Sequence, residues 1–325
     1  MTSTFINSSC RIHKAFPPTK TYTAPPNLSS LEKLMTSHHT ATLIGSVSIF
    51  LWGTLALLTK LSGGQIPPFQ MMAMTFAIAF ALMSIRWWVQ GHTGVQFIGQ
   101  SLMAWCIGIV GLFGYHFAYF KAMTLAPAIE VSLLAYLWPL LIVLLSSLLP
   151  GESFRIRYVM GAMLALLGCW LLVSVNSNGF AWEYLGGYMM AFMCALIWSS
   201  YSVLSRLIQA VPTDAVGWFC GVTALLALTC HLLWESTHWP DSTIAWLSII
   251  GLGLGPVGIA FFTWDYGVKH GNIQLLGTLA YSTPLISVVL LILAGFGQAT
   301  NTLIIASALI VIGSLIAGFA KTKKH

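Results

Sequence analysis

Ala135-Tyr136-Leu137-Trp138-Pro139-Leu140 recurs 145 positions later as Ala280-Tyr281-Ser282-Thr283-Pro284-Leu285, a shared A-Y-x-x-P-L pattern. The flanks keep the same spacing. Trp52-Gly53-Thr54 followed by Lys60 answers to Trp198-Ser199-Ser200 followed by Arg206 at an offset of 146, and Ile66-Pro67 answers to Val211-Pro212 at 145. Each half then runs through apolar residues to a Gly and a polar residue, Gly151-Glu152 and Gly297-Gln298. Single identities match easily in an apolar chain, so the common spacing carries the argument. It places two copies at 41–175 and 186–320.

The solvent of both copies follows from composition. Of 325 residues, 57% are hydrophobic and 7% charged, with a mean hydropathy of +0.83. Soluble domains carry about a quarter charged residues. Apolar runs near the length needed to cross a bilayer as helices occur at 42–59, 68–85, 102–120, 126–149, 158–175, 186–205, 215–234, 243–264, 275–294 and 302–320. The expected fold is an all-α integral membrane protein with ten transmembrane helices, five in each copy. A second copy that starts after an odd number of crossings enters from the opposite face, so the repeats must be inverted. Lys and Arg then set the orientation. Twelve of the fourteen lie on the amino-terminal side, leaving Lys60 and Lys121 opposite, which predicts a multi-pass protein with both termini cytoplasmic. The net charge of +6 is thereby explained without nucleic acid.

Residues 1–40 differ in kind, with Pro17, Pro18, Pro25 and Pro26 among Ser, Thr and Asn, and read as a disordered cytoplasmic tail. Residues 321–325 form a short basic tail. His38 and His39 read as solvated, so no metal is expected. Cys10 lies in the tail and the other five cysteines in spans, with no C-x-x-C, and they behave as small hydrophobes. No phosphate-binding Gly-rich loop, zinc-protease or nucleophile-elbow motif is present, so ATP-driven pumping within this chain and common hydrolase chemistry have no support, and neither an enzyme nor a cofactor is expected.

Chemistry is left to aromatic side chains. Tyr115, His116 and Tyr119 place two tyrosines on one helical face with an imidazole beside them, and Tyr136 and Trp138 follow within the motif. The repeat offset pairs Tyr119 with Trp264, Tyr136 with Tyr281 and Trp52 with Trp198. Trp87, Trp88, Trp182, Trp234, Trp239 and Trp246 sit near span ends, as an interfacial belt would. Any one inner aromatic alone reads as packing, with its polar atom satisfied by a neighbouring helix. As a group around two related prolines, Trp52, Tyr115, His116, Tyr119, Tyr136, Trp138, Trp198, Trp264 and Tyr281 read as the lining of a substrate cavity. Transporters built from inverted repeats hold their substrate where the copies meet. Pro139 and Pro284 each remove a backbone donor and free the carbonyls of Ala135 and Ala280, making hinges or static bends. Glu130 near Lys121, and Asp265 four residues before Lys269, read as structural ion pairs.

Ten spans, two five-helix repeats, Trp-Gly or Trp-Ser in the first helix of each half and Pro-Leu in the fourth resemble the EamA-type exporters of the drug/metabolite transporter superfamily. The Tyr115, His116, Tyr119, Tyr136 and Trp138 pattern is similar to its bacterial YddG-like aromatic amino-acid exporters. The resemblance covers 41–320 and implies a cavity between the halves built from helices one, three, four, six, eight and nine. It also implies a secondary transporter of the bacterial inner membrane, exporting aromatic and other amino acids by alternating access. Export of a different metabolite or drug, a passive channel and an intramembrane lipid enzyme are the alternatives. Expected partners are a small-molecule substrate and the lipid bilayer.

Overall fold

The computed structural model describes residues 28–150, 152, 154–174, 179–298 and 300–318, and among them every regular element is helical. Ten spans follow in order: α1 (Leu28–Gly53, continued by Leu55–Leu61), α2 (Pro68–Val89), α3 (Leu102–Leu125), α4 (Ala128–Ala135 and Trp138–Ser146) and α5 (Ile156–Val173), then α6 (Leu185–Leu207), α7 (Ala215–Trp234), α8 (Thr243–His270), α9 (Ile273–Leu279 and Ser282–Leu293) and α10 (Asn301–Gly318). Nine are long and apolar enough to cross a bilayer, and α10 is apolar but shorter over its described length. The chain is therefore a multi-pass membrane protein. Of the tail expected over 1–40, residues 1–27 lie outside the described residues, and from Leu28 the chain is already helical. Pro26 is the last helix breaker before that point. The basic tail 321–325 and Gly151 of the Gly151-Glu152 match also lie outside them.

Packing displays the inverted repeat. α5 lies against α10 and α2 against α7, each pair joining equivalent helices. α1 packs on α8 while α6 packs on α3, and α4 meets α6 while α9 meets α1, so each contact has its pseudo-symmetric partner. Lipid supplies no hydrophobic drive between helices, so small residues must allow close approach. A Cβ on Gly161 of α5 would stand 2.5 Å from the Gly313 carbonyl of α10, and one on Gly313 equally near the Gly161 carbonyl. A Cβ on Gly267 would stand 2.5 Å from the Cα of Gly45 at the α1–α8 crossing, and the equivalent positions at α6–α3 are the buried Ala191 and Ala122.

Besides the short break of α1 at Thr54, four helices are interrupted in matching pairs. α3 carries a π-helical segment at Val110–Gly114 and α8 one at Gly253–Ile259. α4 breaks at Tyr136 and Leu137, and α9 at Ala280 and Tyr281, immediately before the motif prolines. Backbone groups released there are taken by side chains or by tightened backbone turns, as a membrane interior demands. Leu137 N–H bonds the Leu134 carbonyl at 3.1 Å, and the Leu133 carbonyl accepts from Trp170 Nε1 at 3.2 Å. The Leu112 and Pro256 carbonyls of the two π segments accept from His116 Nδ1 at 2.7 Å and Trp52 Nε1 at 3.0 Å. The Ala280 carbonyl, expected to be freed by Pro284, accepts instead from the Thr283 N–H at 3.1 Å, because the turn there tightens to i+3 spacing.

The face bearing the amino-terminal end of α1 holds most of the cations and is closed. Arg206 at the end of α6 donates to the carbonyls of Val268 at 2.9 Å, Lys269 at 3.3 Å and Gly271 at 2.8 Å, and pairs with Glu152 at 2.7 Å. Asp265 and Lys269, both buried, pair at 2.8 Å; Asp265 also accepts from Thr213 at 2.6 Å, and Lys269 donates to the Val211 carbonyl at 2.9 Å. On the opposite face Glu235 accepts from the first N–H groups of α2, Phe69 at 2.9 Å and Gln70 at 3.0 Å, where the helix dipole favours an anion. Glu130 is buried in the first turn of α4, a position favoured by the same dipole.

Of the six tryptophans expected at the interfaces, Trp88, Trp182, Trp234, Trp239 and Trp246 are exposed, but Trp87 is buried. It stacks between Phe97 and Trp218, so it belongs to the core.

Candidate functional site

A cavity of about 940 Å³ lies between the two repeats and runs from the α1–α2 connection, at Lys60, Ser62 and Gly64, to the middle of the fold. It opens on the charge-poor face. Helices α1, α3, α4, α6, α8 and α9 contribute walls, the set that the family resemblance implied, and α2 joins them through Met71, Met72, Thr75 and Phe76. Nothing in the spacing of α2 marked those positions, because a lining residue and a lipid-facing residue on an apolar helix look alike.

Seven of the nine expected site residues line this space: Trp52, Tyr115, His116, Tyr119, Tyr136, Trp138 and Trp198. Their rings interlock. Trp52 stands at the centre of the floor, 6.1 Å from Trp138, 5.5 Å from Trp198 and 5.1 Å from Trp264 by ring centroids. Tyr115 and Tyr119 stack nearly parallel along one wall, 6.3 Å apart, as their i, i+4 spacing requires, and Tyr115 leans on Trp198 at 5.4 Å.

The other two stand behind the lining. Trp264 is fully buried below the floor and donates its Nε1 proton to Ser202 Oγ at 3.0 Å. Tyr281 is also fully buried, and its hydroxyl accepts the N–H of Leu140 at 3.0 Å. That N–H lies in the first turn after the α4 break, where no helical carbonyl is placed to receive it. Pseudo-symmetry is thus broken at both positions: Tyr136 and Tyr119 face the cavity while their equivalents serve as struts. A motif fixes a residue's place in a repeat, not the conformation of that repeat.

Sequence reasoning passed over Phe261, Phe76 and Thr283, all of which line the cavity. The offset of 145 would have found two, since it carries His116 to Phe261 and Trp138 to Thr283. Phe261 packs 5.6 Å from both Phe76 and Trp198. The Thr283 hydroxyl is buried with no partner among the described residues, which costs free energy unless a ligand or water supplies one.

Polar capacity can be counted. Because His116 Nδ1 donates to a carbonyl, the ring presents an unprotonated Nε2 when neutral, an acceptor for a ligand N–H. Trp52 spends its indole proton on Pro256, whereas the Trp138 and Trp198 indoles and the Tyr136 hydroxyl carry no protein hydrogen bond among the described residues. Lys60 is the sole formally charged residue among the described lining, at the outer mouth with its Nζ 5.3 Å from the Phe296 ring centroid. No group of three metal-ligating side chains occurs among the described residues.

A family model described as the EamA-like transporter family matches residues 39–174 and 185–319, once in each half. The chain is 48% identical over 283 residues to the aromatic amino acid exporter YddG of Ancylobacter novellus, covering 86% of this chain and 98% of that one. It is 28% identical over 308 residues to the exporter of the same name from Salmonella typhimurium, covering 87% and 98%. A biotin transporter of Salmonella typhimurium is 24% identical over 178 residues, or 57% of its length. A solved crystal structure with 48% sequence identity superposes with a TM-score of 0.84, covering 89% of this chain and all of the other.

Proposed function

The chain belongs to the EamA-like transporter family, and we propose from that premise that it exports aromatic amino acids across the bacterial inner membrane by alternating access, with the central cavity as its substrate site. The supporting observation is the lining itself: aromatic rings on the floor and one wall, five neutral groups able to bond a ligand, and a single cation at the mouth. An aromatic amino acid offers a flat apolar side chain and a zwitterion. The side chain stacks against Tyr115, Tyr119, Trp138 and Trp198, which combine burial with edge-to-face contact. The ammonium donates to His116 Nε2. The carboxylate accepts from the Trp138 or Trp198 indole and from the Thr283 and Tyr136 hydroxyls. These neutral donors bind modestly, which suits a substrate that must leave again.

The excess of Lys and Arg supports a cytoplasmic closed face, with both termini on that side. The conformation described is then open outward, the state from which exported substrate departs. A floor of packed indoles closed on the cytoplasmic side argues for a carrier over an open pore. Lys60 at the mouth attracts the departing carboxylate on a path otherwise free of fixed charge.

The test is flux. Purified protein in liposomes should accelerate the movement of labelled Phe, Trp and Tyr with saturation and counterflow, each competing with the others. Flux no greater than that of empty liposomes for all three would sink the aromatic reading, and flux without saturation would mean a channel.

A further inference from the structure

We propose that Tyr136 and Tyr281 exchange roles as the transporter alternates. In the outward-open state Tyr281 accepts the Leu140 N–H while Tyr136 lines the cavity; in the opposite state Tyr136 accepts the Leu285 N–H while Tyr281 lines the inward cavity. The inference rests on alternating access by exchange of the two repeats' conformations, and it assigns that exchange a hydrogen bond.

The residues involved are four members of one repeat relation. Adding 145 to Tyr136 gives Tyr281, and adding 145 to Leu140 gives Leu285. The bond seen, Tyr281 Oη to Leu140 N at 3.0 Å, joins the second repeat to the first half-helix start that follows a motif break. Its mirror image would join Tyr136 Oη to Leu285 N. The two breaks are already unlike: Tyr136 and Leu137 in α4, Ala280 and Tyr281 in α9, one position out of register under the repeat. Two copies of one motif held in different conformations are what exchange requires. Tyr281 is sealed in a cluster with Cys169 and Tyr158, whereas the Tyr136 hydroxyl has no protein hydrogen bond among the described residues. A buried backbone N–H without a partner is costly, so whichever tyrosine caps its partner helix stabilises that state. Each tyrosine is thus a positioning residue in one state and a ligand contact in the other.

A native thiol reports the equilibrium. Thr75 lines the outward cavity, and the offset of 145 carries it to Cys220, which is fully buried in this state. Cys220 is therefore a position that would line an inward-open cavity, as Thr75, 4% exposed, lines the outward one. Full-length protein in liposomes is treated with N-ethylmaleimide, and the adduct at Cys220 is followed by peptide mass spectrometry, leaving the other thiols in place. Tyr281→Phe, which removes the acceptor used in the outward-open state, should raise the Cys220 rate about three- to tenfold. Tyr136→Phe should lower it by a similar factor, and the double variant should return to within about twofold of the parent.

Cys169, which packs beside Tyr281, should not gain reactivity in Tyr281→Phe; a parallel rise there would mean general loosening and overturn the proposal. So would an unchanged Cys220 rate in Tyr281→Phe, or shifts of the same sign in both variants. If Cys220 stays unreactive in the parent while labelled Phe crosses the membrane, exchange of the two halves fails as well. Reactive Cys220 without opposed shifts would defeat the tyrosine exchange alone.

Discussion

His116 shows how one residue is shaped by its local backbone. The π segment Val110–Gly114 just before it leaves a carbonyl, that of Leu112, within 2.7 Å of Nδ1, and this bond fixes the neutral ring with Nε2 as its remaining acceptor. Trp138 is set differently, as the first residue after the α4 break, with its ring against Trp52 and Trp264. His116→Ala should raise the KM for Phe about fivefold by removing one hydrogen bond, and Trp138→Ala about tenfold by removing stacking area. Both should reach normal membrane abundance. Unchanged transport in these two together with Tyr115→Ala and Tyr136→Phe would refute the cavity as the substrate site. At this scale the sequence was informative wherever a polar ring stood inside an apolar span. It was silent on Phe76, whose chemistry matches that of dozens of lipid-facing neighbours.

At the scale of elements, the interruptions decide which groups become available. The prolines marked the breaks in α4 and α9, but of the two π segments only that of α8 contains a proline, Pro256, and that of α3 had no sequence signal at all. A π segment depends on what its side chains meet across the interface. Gly111 in α3 lies against the Tyr201 ring, so the turn must accommodate a neighbour that sequence does not place beside it. The closed face depends on helix ends in the same way. Arg206 gathers three carbonyls at the end of α8 along with Glu152, while its repeat equivalent Lys60 stands at the open mouth against one ring. Arg206→Ala should therefore increase maleimide reaction at Cys220 several-fold. Glu152→Gln should have the smaller effect, because Arg206 keeps its carbonyl bonds and a partly exposed ion pair contributes little. Equal effects would show that the ion pair alone holds that face closed. The Asp265–Lys269 pair was legible from its i, i+4 spacing, but its bonds to Thr213 and the Val211 carbonyl were not.

The whole molecule joins two copies of one five-helix unit in opposite orientation, and its cavity belongs to neither alone. Trp52, Tyr115 and Trp138 come from one copy, Trp198, Phe261 and Thr283 from the other. Orientation in the membrane makes a direct prediction. Thr59 lines the cavity near its mouth, so a Thr59→Cys protein should react with a membrane-impermeant maleimide added outside intact cells, and excess phenylalanine should slow that reaction about threefold or more. Reaction only from the cytoplasmic side would reverse the topology and with it the reading of this state as outward-open.

The sequence by itself determined the membrane setting, the helices and their duplication, because each follows from composition, periodicity or spacing along one chain, and its motif residues carried the resemblance to the family. It also placed an aromatic cluster around two prolines. Tertiary structure alone decided which copy of each repeated residue faces the cavity, since identical motifs adopt different conformations in the two halves. Tyr136 and Tyr281 differ through their neighbours: one has the Leu140 N–H of the other repeat beside its hydroxyl, and the other has open space.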